Sequence, residues 1–331
     1  GLFVDDELMS EMKKRVLVTG GAGFIGSHIS EAYLAKGYDV WIVDNLSSGK
    51  LDNVPDGASF VELDIRDAEG VRNLFREFRF DLVNHHAAQI DVRISVSDPA
   101  KDASINVMGL LNLTEAAIEV GTQRFIFVSS GGVVYGEPQE IPTPETAPKS
   151  PLSPYGVTKL AGEFYLDYYR HIRGIDYAAM RYSNVYGPRQ DPHGEAGVVA
   201  IFSTRLLKNQ GLTIFGDGEQ TRDYVYVGDV VAANMLVSEM ELSESKALDD
   251  RAFNVGTNVG TSVVGLADAL ESVAGVSPGR KHEDERPGEL RHSTLNTAKL
   301  RSHGWAPAHS LEQGLHATYT HIKNQAAGAS E

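Results

Sequence analysis

The stretch KRVLVTGGAGFIGSHISEAYLAK (14–36) decides the fold. It opens with an apolar, β-branched run at 15–19, the composition of a buried strand. It then passes through Gly20-Gly21-Ala22-Gly23-Phe24-Ile25-Gly26 and continues as a helix with Ile25, Ile29, Ala32 and Tyr33 on one face. Glycines at this spacing have separate tasks. Gly20 permits a tight turn, Gly23 lets backbone N–H groups approach a pyrophosphate, and Gly26 lets the helix pack closely on the strand. The helix N-terminus favours an anion at that point. A second strand, 38–45, carries Asp44 at its end, about 20 residues after the turn, where a carboxylate accepts adenosine ribose hydroxyls. Such a carboxylate repels a 2′-phosphate, so the segment reads as a site for NAD rather than NADP, with Lys50 nearby as the one opposing feature. The competing reading is an ordinary glycine-rich turn followed by a surface aspartate.

Working outward, 58–64, 80–88, 124–130 and 176–182 read as further strands, and 66–78, 99–120 and 154–172 as helices. The 66–78 helix has Val71, Leu74, Phe75 and Phe78 as its stripe, and Asp98-Pro99 supplies a cap and first turn for 99–120. Near-continuous apolar strands alternating with helices mean a parallel sheet covered on both faces. The expected fold is α/β, a doubly wound parallel sheet of Rossmann type with a smaller mixed α/β C-terminal lobe. Past residue 182 the composition turns to Gly, Pro and polar residues. Helices are expected near 198–209, 227–241, 262–274 and 310–325, with a strand at 252–255 and a polar loop at 242–250. The expected organisation is a flexible extension at 1–12, an NAD-binding domain at 13–182 with returning segments near 224–256, and a substrate-binding lobe formed by 183–223 and 257–331.

The chain has 331 residues, 45 acidic against 30 basic ones, a formal net charge of −15 and no cysteine. An acidic surface is a poor partner for nucleic acid or an anionic membrane. Without cysteine there is no disulfide, thiolate metal site or thiol nucleophile. No run of about 18 apolar residues occurs, and the first dozen residues lack the basic-then-apolar order of a signal peptide. The expected address is the cytoplasm.

A second cluster lies at Ser153-Pro154-Tyr155-Gly156-Val157-Thr158-Lys159. Residues four apart share a helix face, so Tyr155 and Lys159 can point into one site. A tyrosine with an ordinary pKa of about 10 needs a shift of roughly 3 units to act as a base near neutrality. A neighbouring ammonium and a cationic nicotinamide both favour its phenolate. The alternative is a surface tyrosine and a solvated lysine. His85 and His86, adjacent on a strand, point to opposite faces and do not suit one metal ion, so no metal site is expected and they read as structural or channel residues. The run His282-Glu283-Asp284-Glu285 reads as a solvated edge.

These features stand among others in a fixed order: GGAGFIGS (20–27), VDN (43–45), LDIRD (63–67), HHAAQ (85–89), NVMG (106–109), SSGGVVYGE (129–137), SPYGVTK (153–159), RYSNVYGPRQ (181–190), TRDYVYVGD (221–229) and RPGE (286–289). With them the chain resembles an extended short-chain dehydrogenase/reductase, and more narrowly the UDP-glucose 4-epimerase family, over about 15–325. The resemblance implies that Gly20, Gly23, Phe24, Ile25 and Gly26 hold the pyrophosphate of NAD. Asp44 and Asn45 would hold the ribose, and Asp64 with Ile65 the adenine. Ala87, Ala88, Gln89, Asn106, Ser129 and Tyr182 would line the cofactor channel. Tyr155 would be the general base and Lys159 its partner on the nicotinamide ribose. Asn184, Gly197, Val198, Thr213, Phe215, Arg222 and Arg286 would hold the nucleotide of a UDP-sugar, with Glu289 and Ser293 near the sugar. Arg222 and Arg286 are the guanidinium clamps on the diphosphate, a task suited to a planar fork. The cofactor would stay bound and be recycled in each turnover. Relatives pair through the helices at 99–120 and 154–172, so a homodimer built on a four-helix bundle is expected. Val107, Leu110, Leu111, Leu113, Leu160, Ala161 and Phe164 would supply the second apolar face, though packing on the sheet could equally use them.

Two departures stand out. The family pattern places Ser or Thr four residues before the tyrosine of VYG, and here that position is Gly131, with Ser130 one residue earlier. Ser130 is the candidate to replace it. Glucose-restricted members carry a bulky tyrosine seven residues after the clamp arginine, and here Ser293 leaves room for a 2-acetamido group. Dehydratases of the same superfamily need an Asp-Glu pair where this chain has Gly132 and Val133. A UDP-glucuronate 4-epimerase, a decarboxylase, or a non-catalytic NAD-binding scaffold are the readings left open.

Overall fold

The computed structural model describes residues 12–193 and 197–330; expectations for residues 1–11 lie outside the described residues. In chain order the strands are β1 (Arg15–Thr19), β2 (Asp39–Asp44), β3 (Ser59–Glu62), β4 (Leu82–His85), β5 (Arg124–Ser130), β6 (Tyr177–Tyr182), β7 (Asn184–Tyr186), β8 (Leu212–Phe215), β9 (Thr221–Arg222), β10 (Tyr224–Tyr226), β11 (Ala252–Val255), β12 (Thr261–Ser262) and β13 (Arg280–Glu283). Seven of them form one parallel sheet in the order β3-β2-β1-β4-β5-β6-β11.

Alternation along β1 explains the three layers. Val16 and Val18 pack into one core with Ile29, Tyr33, Ile42 and Val230, whereas Leu17 packs into the opposite core with Val71, Phe75, Leu110 and Phe127. Successive side chains of a strand face opposite ways, so a strand buried on both faces must be apolar throughout. From β1 the chain winds outward through β2 and β3, then returns to the other side of β1 to lay down β4. A crevice opens where the winding reverses, outside the carboxyl ends of the strands. The doubly wound α/β fold expected from the sequence is the fold observed, including the return of 252–255 to the sheet edge.

Four segments differ from expectation. The strand expected over 80–88 ends at His85, because the chain then leaves the sheet and His86, Ala87, Ala88 and Ile90 border the crevice. The helix expected over 99–120 is preceded by a separate turn, Val92–Ser97, and is interrupted by a π-helical turn at Ser104–Met108. Such bulges are frequent at functional sites. The polar loop expected at 242–250 ends in a 3-10 turn, Leu248–Arg251. The acidic edge around 282–285 is exposed as expected, but 280–283 also pair with β8 as a strand. Its Arg-Lys-His-Glu composition carries no strand signal, since the pairing uses backbone groups only.

The C-terminal lobe has its own core, in which Val199, Phe202 and Leu206 meet Leu212, Ile214, Leu266, Leu270 and Leu315. Among the described residues no helix is long and apolar enough to cross a membrane.

Candidate active site

A cleft of about 350 Å³ occupies the crevice, with the Gly20–Gly26 turn at one side and Tyr155 and Lys159 at the other. Gly20 sits at φ +68°, and a side chain there would place Cβ 2.7 Å from the Ala87 amide nitrogen. At Gly26 a Cβ would overlap the Gly20 carbonyl. The turn can therefore exist only without side chains at these two points. The helix that follows, Phe24–Ala35, has no side-chain cap and no acidic residue in its first turn. Its first N–H groups remain available to an anion. Asp44, buried at the end of β2, accepts hydrogen bonds from Ala22 N at 3.1 Å and Leu46 N at 2.8 Å. These donors hold its carboxylate against the cleft wall.

Asn45, Asp64 and Ile65 close the adjacent end. Arg66 grips Asp64 through Nη2 at 2.7 Å and Nε at 3.0 Å, and this holds the Asp64 pKa down at about 2. Asp64 is thus ionised at any physiological pH.

At the other side, Ser153 caps the Pro154–Arg173 helix by accepting from Gly156 N at 3.1 Å. The cap places Tyr155 in the first turn and Lys159 one turn on, facing the same space. Lys159 Nζ lies 5.9 Å from the Tyr155 ring centre and 5.2 Å from that of Phe127, and donates to Val128 O at 2.9 Å. Burial pushes the Lys159 pKa down to about 8, with Asp102 pulling the other way. Ser130 borders the cleft beside Tyr155.

Three expected channel residues have other partners. Ser129 borders the cleft, but its hydroxyl donates into the sheet core, to Glu163 Oε2 at 2.7 Å. Gln89 and Asn106 are not in the cleft lining. They surround the buried carboxylate of Asp102, which accepts from Gln89 Nε2 at 2.9 Å, Asn106 Nδ2 at 3.1 Å and Thr158 Oγ1 at 2.9 Å. The network ties the π-helical turn to the residue next to Lys159. Ala87, Ala88 and Tyr182 do line the cleft.

The residues expected to bind the nucleotide lie beyond this lining. Arg286 stacks its guanidinium 3.9 Å from the Phe215 ring centre, joining two of the expected residues, with Thr213 on the same strand. Arg222 donates to Thr221 O at 2.8 Å and Leu290 O at 2.7 Å, and Ser293 N donates to Thr221 O at 3.1 Å. Asn184 is exposed at the start of β7, and Gly197 caps the Val198–Leu207 helix. Glu289 is exposed. At Gly131 a Cβ would overlap the Leu295 side chain, so the family's missing Ser or Thr is matched by a leucine that fills its place.

Sequence reasoning missed Ser183 and Gln190 as cleft residues, and His86, for which it expected a structural or channel role, lines the cleft with them. Among the described residues, six buried side-chain polar atoms have no hydrogen-bond partner. Three of them, His86 Nδ1, Ser183 Oγ and Gln190 Oε1, belong to the cleft wall. Buried polar groups rarely stay unpaired, so these atoms and the side-chain-free turn fit a polar ligand that carries an anion and ribose hydroxyls. A dinucleotide has both.

The fold and the paired Tyr155 and Lys159 across from a phosphate turn define a class of dinucleotide-dependent sugar-modifying enzyme. The chain belongs to the NAD dependent epimerase/dehydratase family, whose profile matches residues 16–256. It is 44% identical over 317 residues to the UDP-glucose 4-epimerase of Mycolicibacterium smegmatis, covering 94% of this chain and 99% of that protein. Among solved structures it resembles the UDP-glucose 4-epimerase of Thermotoga maritima with UDP-glucose, at TM-score 0.90 and 46% identity over 94% of this chain and 99% of that one. It also resembles the UDP-glucose 4-epimerase of Thermus thermophilus in complex with NAD, at TM-score 0.87 and 46% identity over 93% and 99%.

Proposed function

We propose that this protein is an isomerase that inverts C4 of a UDP-hexose, interconverting UDP-glucose and UDP-galactose with NAD as a recycled cofactor. The observation that carries the reading is the placement of Tyr155 and Lys159 in the same cleft as the Gly20–Gly26 turn and Asp44. The turn and Asp44, with Asn45, Asp64 and Ile65, would hold NAD. Bound there, NAD supplies a hydride acceptor that gives the hydride back. Tyr155 removes the proton from the sugar O4 as C4 is oxidised to a ketone, and returns it when C4 is reduced from the other face. Lys159 places a positive charge beside the phenol, which favours its anionic form. Ser130 is the hydroxyl available to orient the sugar oxygen. Inversion requires a firm grip on UDP and a loose one on the hexose. Arg222 and Arg286 suit the diphosphate, and Thr213, Phe215, Asn184, Gly197 and Val198 the rest of the nucleotide, so that the C-terminal lobe 183–223 and 257–331 serves as the grip. Glu289 and Ser293 would border the sugar.

Ser293 in place of a bulky residue extends the reading to the 2-acetamido sugars. Incubation with UDP-glucose, UDP-GlcNAc and UDP-glucuronate, without added NAD and with products separated, tests it. Comparable inversion of the first two and none of the third is expected. A protein inactive on UDP-glucose even with NAD added would overturn the function, and activity confined to UDP-glucose would remove the role given to Ser293.

The same reading includes a homodimer through a four-helix bundle. Leu110 and Leu113 are in the core, but Val157, Phe164, Tyr168 and Ile172 of the Pro154–Arg173 helix are each at least half exposed, alongside Met108. An apolar row of this extent suits a second copy of the same face. Light scattering should give twice the chain mass, and Phe164→Glu should halve it; a parent protein that runs as a monomer at micromolar concentration would exclude the pairing. The cysteine-free chain also suits the reducing cytoplasm, the location we assign it.

A further inference from the structure

His86 borders the cleft with one ring nitrogen paired and the other not, and a chain of buried hydrogen bonds determines which nitrogen carries the proton. The chain begins at Asn234, fully buried on the Val227–Glu239 helix. One end of its amide lies 2.9 Å from Val230 O. A carbonyl can only accept, so the atom facing it is the nitrogen. That nitrogen gives its second hydrogen to the Tyr182 hydroxyl at 2.8 Å, and Asn234 Oδ1 accepts from Asn84 Nδ2 at 3.0 Å.

The Tyr182 hydroxyl has now accepted, and its own proton still needs an acceptor. His86 Nε2, 2.9 Å away, is the acceptor in reach. If Nε2 carried a hydrogen instead, the phenolic proton of a buried tyrosine would have no acceptor among the described residues, a costly arrangement. Nε2 is therefore bare. Burial, with the charge of Lys159, pushes the ring's pKa down to about 3, so the imidazole is neutral and its single proton sits on Nδ1. Nδ1 is buried and has no partner. His86 is packed against the phosphate turn, its amide nitrogen donating to Thr19 O at 3.1 Å.

We propose that His86 is a cofactor-binding residue that donates its Nδ1–H to an acceptor oxygen of the bound dinucleotide, and that Asn234, acting through Tyr182, sets the tautomer that makes it a donor. Asn234 and Tyr182 are positioning residues in this scheme. The inference rests on the NAD reading above but assigns a contact that reading leaves open.

Two measurements test it. Proton–nitrogen correlation spectra of histidine-labelled protein should show His86 as the Nδ1–H tautomer, with the signal assigned by its loss in His86→Phe. Release of NAD from the purified holoenzyme, followed by nucleotide separation, should separate two amide replacements. Asn places its nitrogen near the Nδ1 position and Gln near Nε2. His86→Asn should hold NAD within about 2-fold of the parent, and His86→Gln and His86→Phe should release it about 3- to 10-fold faster, the range for one neutral hydrogen bond. Asn234→Asp, which turns a donor into an acceptor, should move the His86 proton to Nε2. A proton on Nε2 in the parent protein would overturn the scheme. Equal NAD release from the Asn and Gln variants would overturn the contact alone and leave the NAD reading intact, whereas a protein that binds no dinucleotide would sink both.

Discussion

Tyr155→Phe is expected to lower turnover of UDP-glucose by about 10²–10⁴-fold, the contribution of a positioned general acid–base. Bound NAD should be unaffected. The phenylalanine keeps the ring in the first turn of the Pro154–Arg173 helix and removes only the oxygen. The residues proposed to hold the pyrophosphate and the adenosine ribose lie on other elements, the Gly20–Gly26 turn and the end of β2, and Lys159 itself is unchanged. A non-catalytic scaffold would show no difference between the two proteins, and retained turnover would end the assignment. The lysine beside it gives a second signature. The ammonium of Lys159 favours the negative oxygen only while it is protonated, and burial brings its pKa down to about 8. Activity should therefore fall as pH rises through about 8. An ordinary lysine, near 10.4, would keep its charge well past that point. A profile flat to pH 10 would mean that the charge is not needed.

The parts of this site legible in the sequence are those whose geometry is local. The glycine turn is largely a statement about backbone clearance within seven residues: Gly26 meets it against the Gly20 carbonyl, as the spacing implies, whereas Gly20 meets it against Ala87 on a distant segment. Tyr155 and Lys159 share a face because a helix has 3.6 residues per turn. What the sequence could not show is which side of a wall a polar residue faces. Asn106 and Gln89 stand in the expected order, yet they gather around Asp102 instead of the cleft, because both side-chain amides donate to that buried carboxylate. Gly131 was legible as a missing hydroxyl. That Leu295 would fill the space depends on a bridge to Thr143 made far along the chain. His86 was legible as a structural or channel residue, but its partner Tyr182, and Asn234 behind it, come from a strand and a helix that no local pattern links to it.

Glu163 is the clearest case of a residue whose importance is tertiary. On the sequence it is one more acid on a long amphipathic helix. In the fold its side chain is 1% exposed and that of Arg181 is fully buried, and the two meet at 2.7 Å. Glu163 also accepts from Arg181 Nε at 3.1 Å and from the Ser129 hydroxyl at 2.7 Å. Arg181 reaches on to the Tyr135 hydroxyl at 3.1 Å, Glu145 O at 2.9 Å and Asp249 at 2.9 Å. The pair thus ties β5, β6 and the Pro154–Arg173 helix together directly behind Ser130 and Lys159. Removing Glu163 leaves the buried guanidinium with Asp249 as its remaining carboxylate in place of two, a loss of up to about 3–5 kcal/mol, set against a total stability of about 5–15 kcal/mol. Glu163→Ala should therefore lower the melting temperature by roughly 6–10 °C, taking about 2 °C per kcal/mol for a chain of this size. An exposed pair gives the control: Glu31, half exposed and bonded to Arg189 at 2.5 Å, should cost under about 1 kcal/mol when replaced by Ala. Replacing both partners, Glu163→Leu with Arg181→Leu, should cost less than Glu163→Ala alone, because neither charge is then left buried. If Glu163→Ala melts within about 2 °C of the parent protein, less than a single kcal/mol would shift it, the ion pair does not hold these three elements. The positions of Ser130 and Lys159 would then have to come from apolar packing around Phe127 instead.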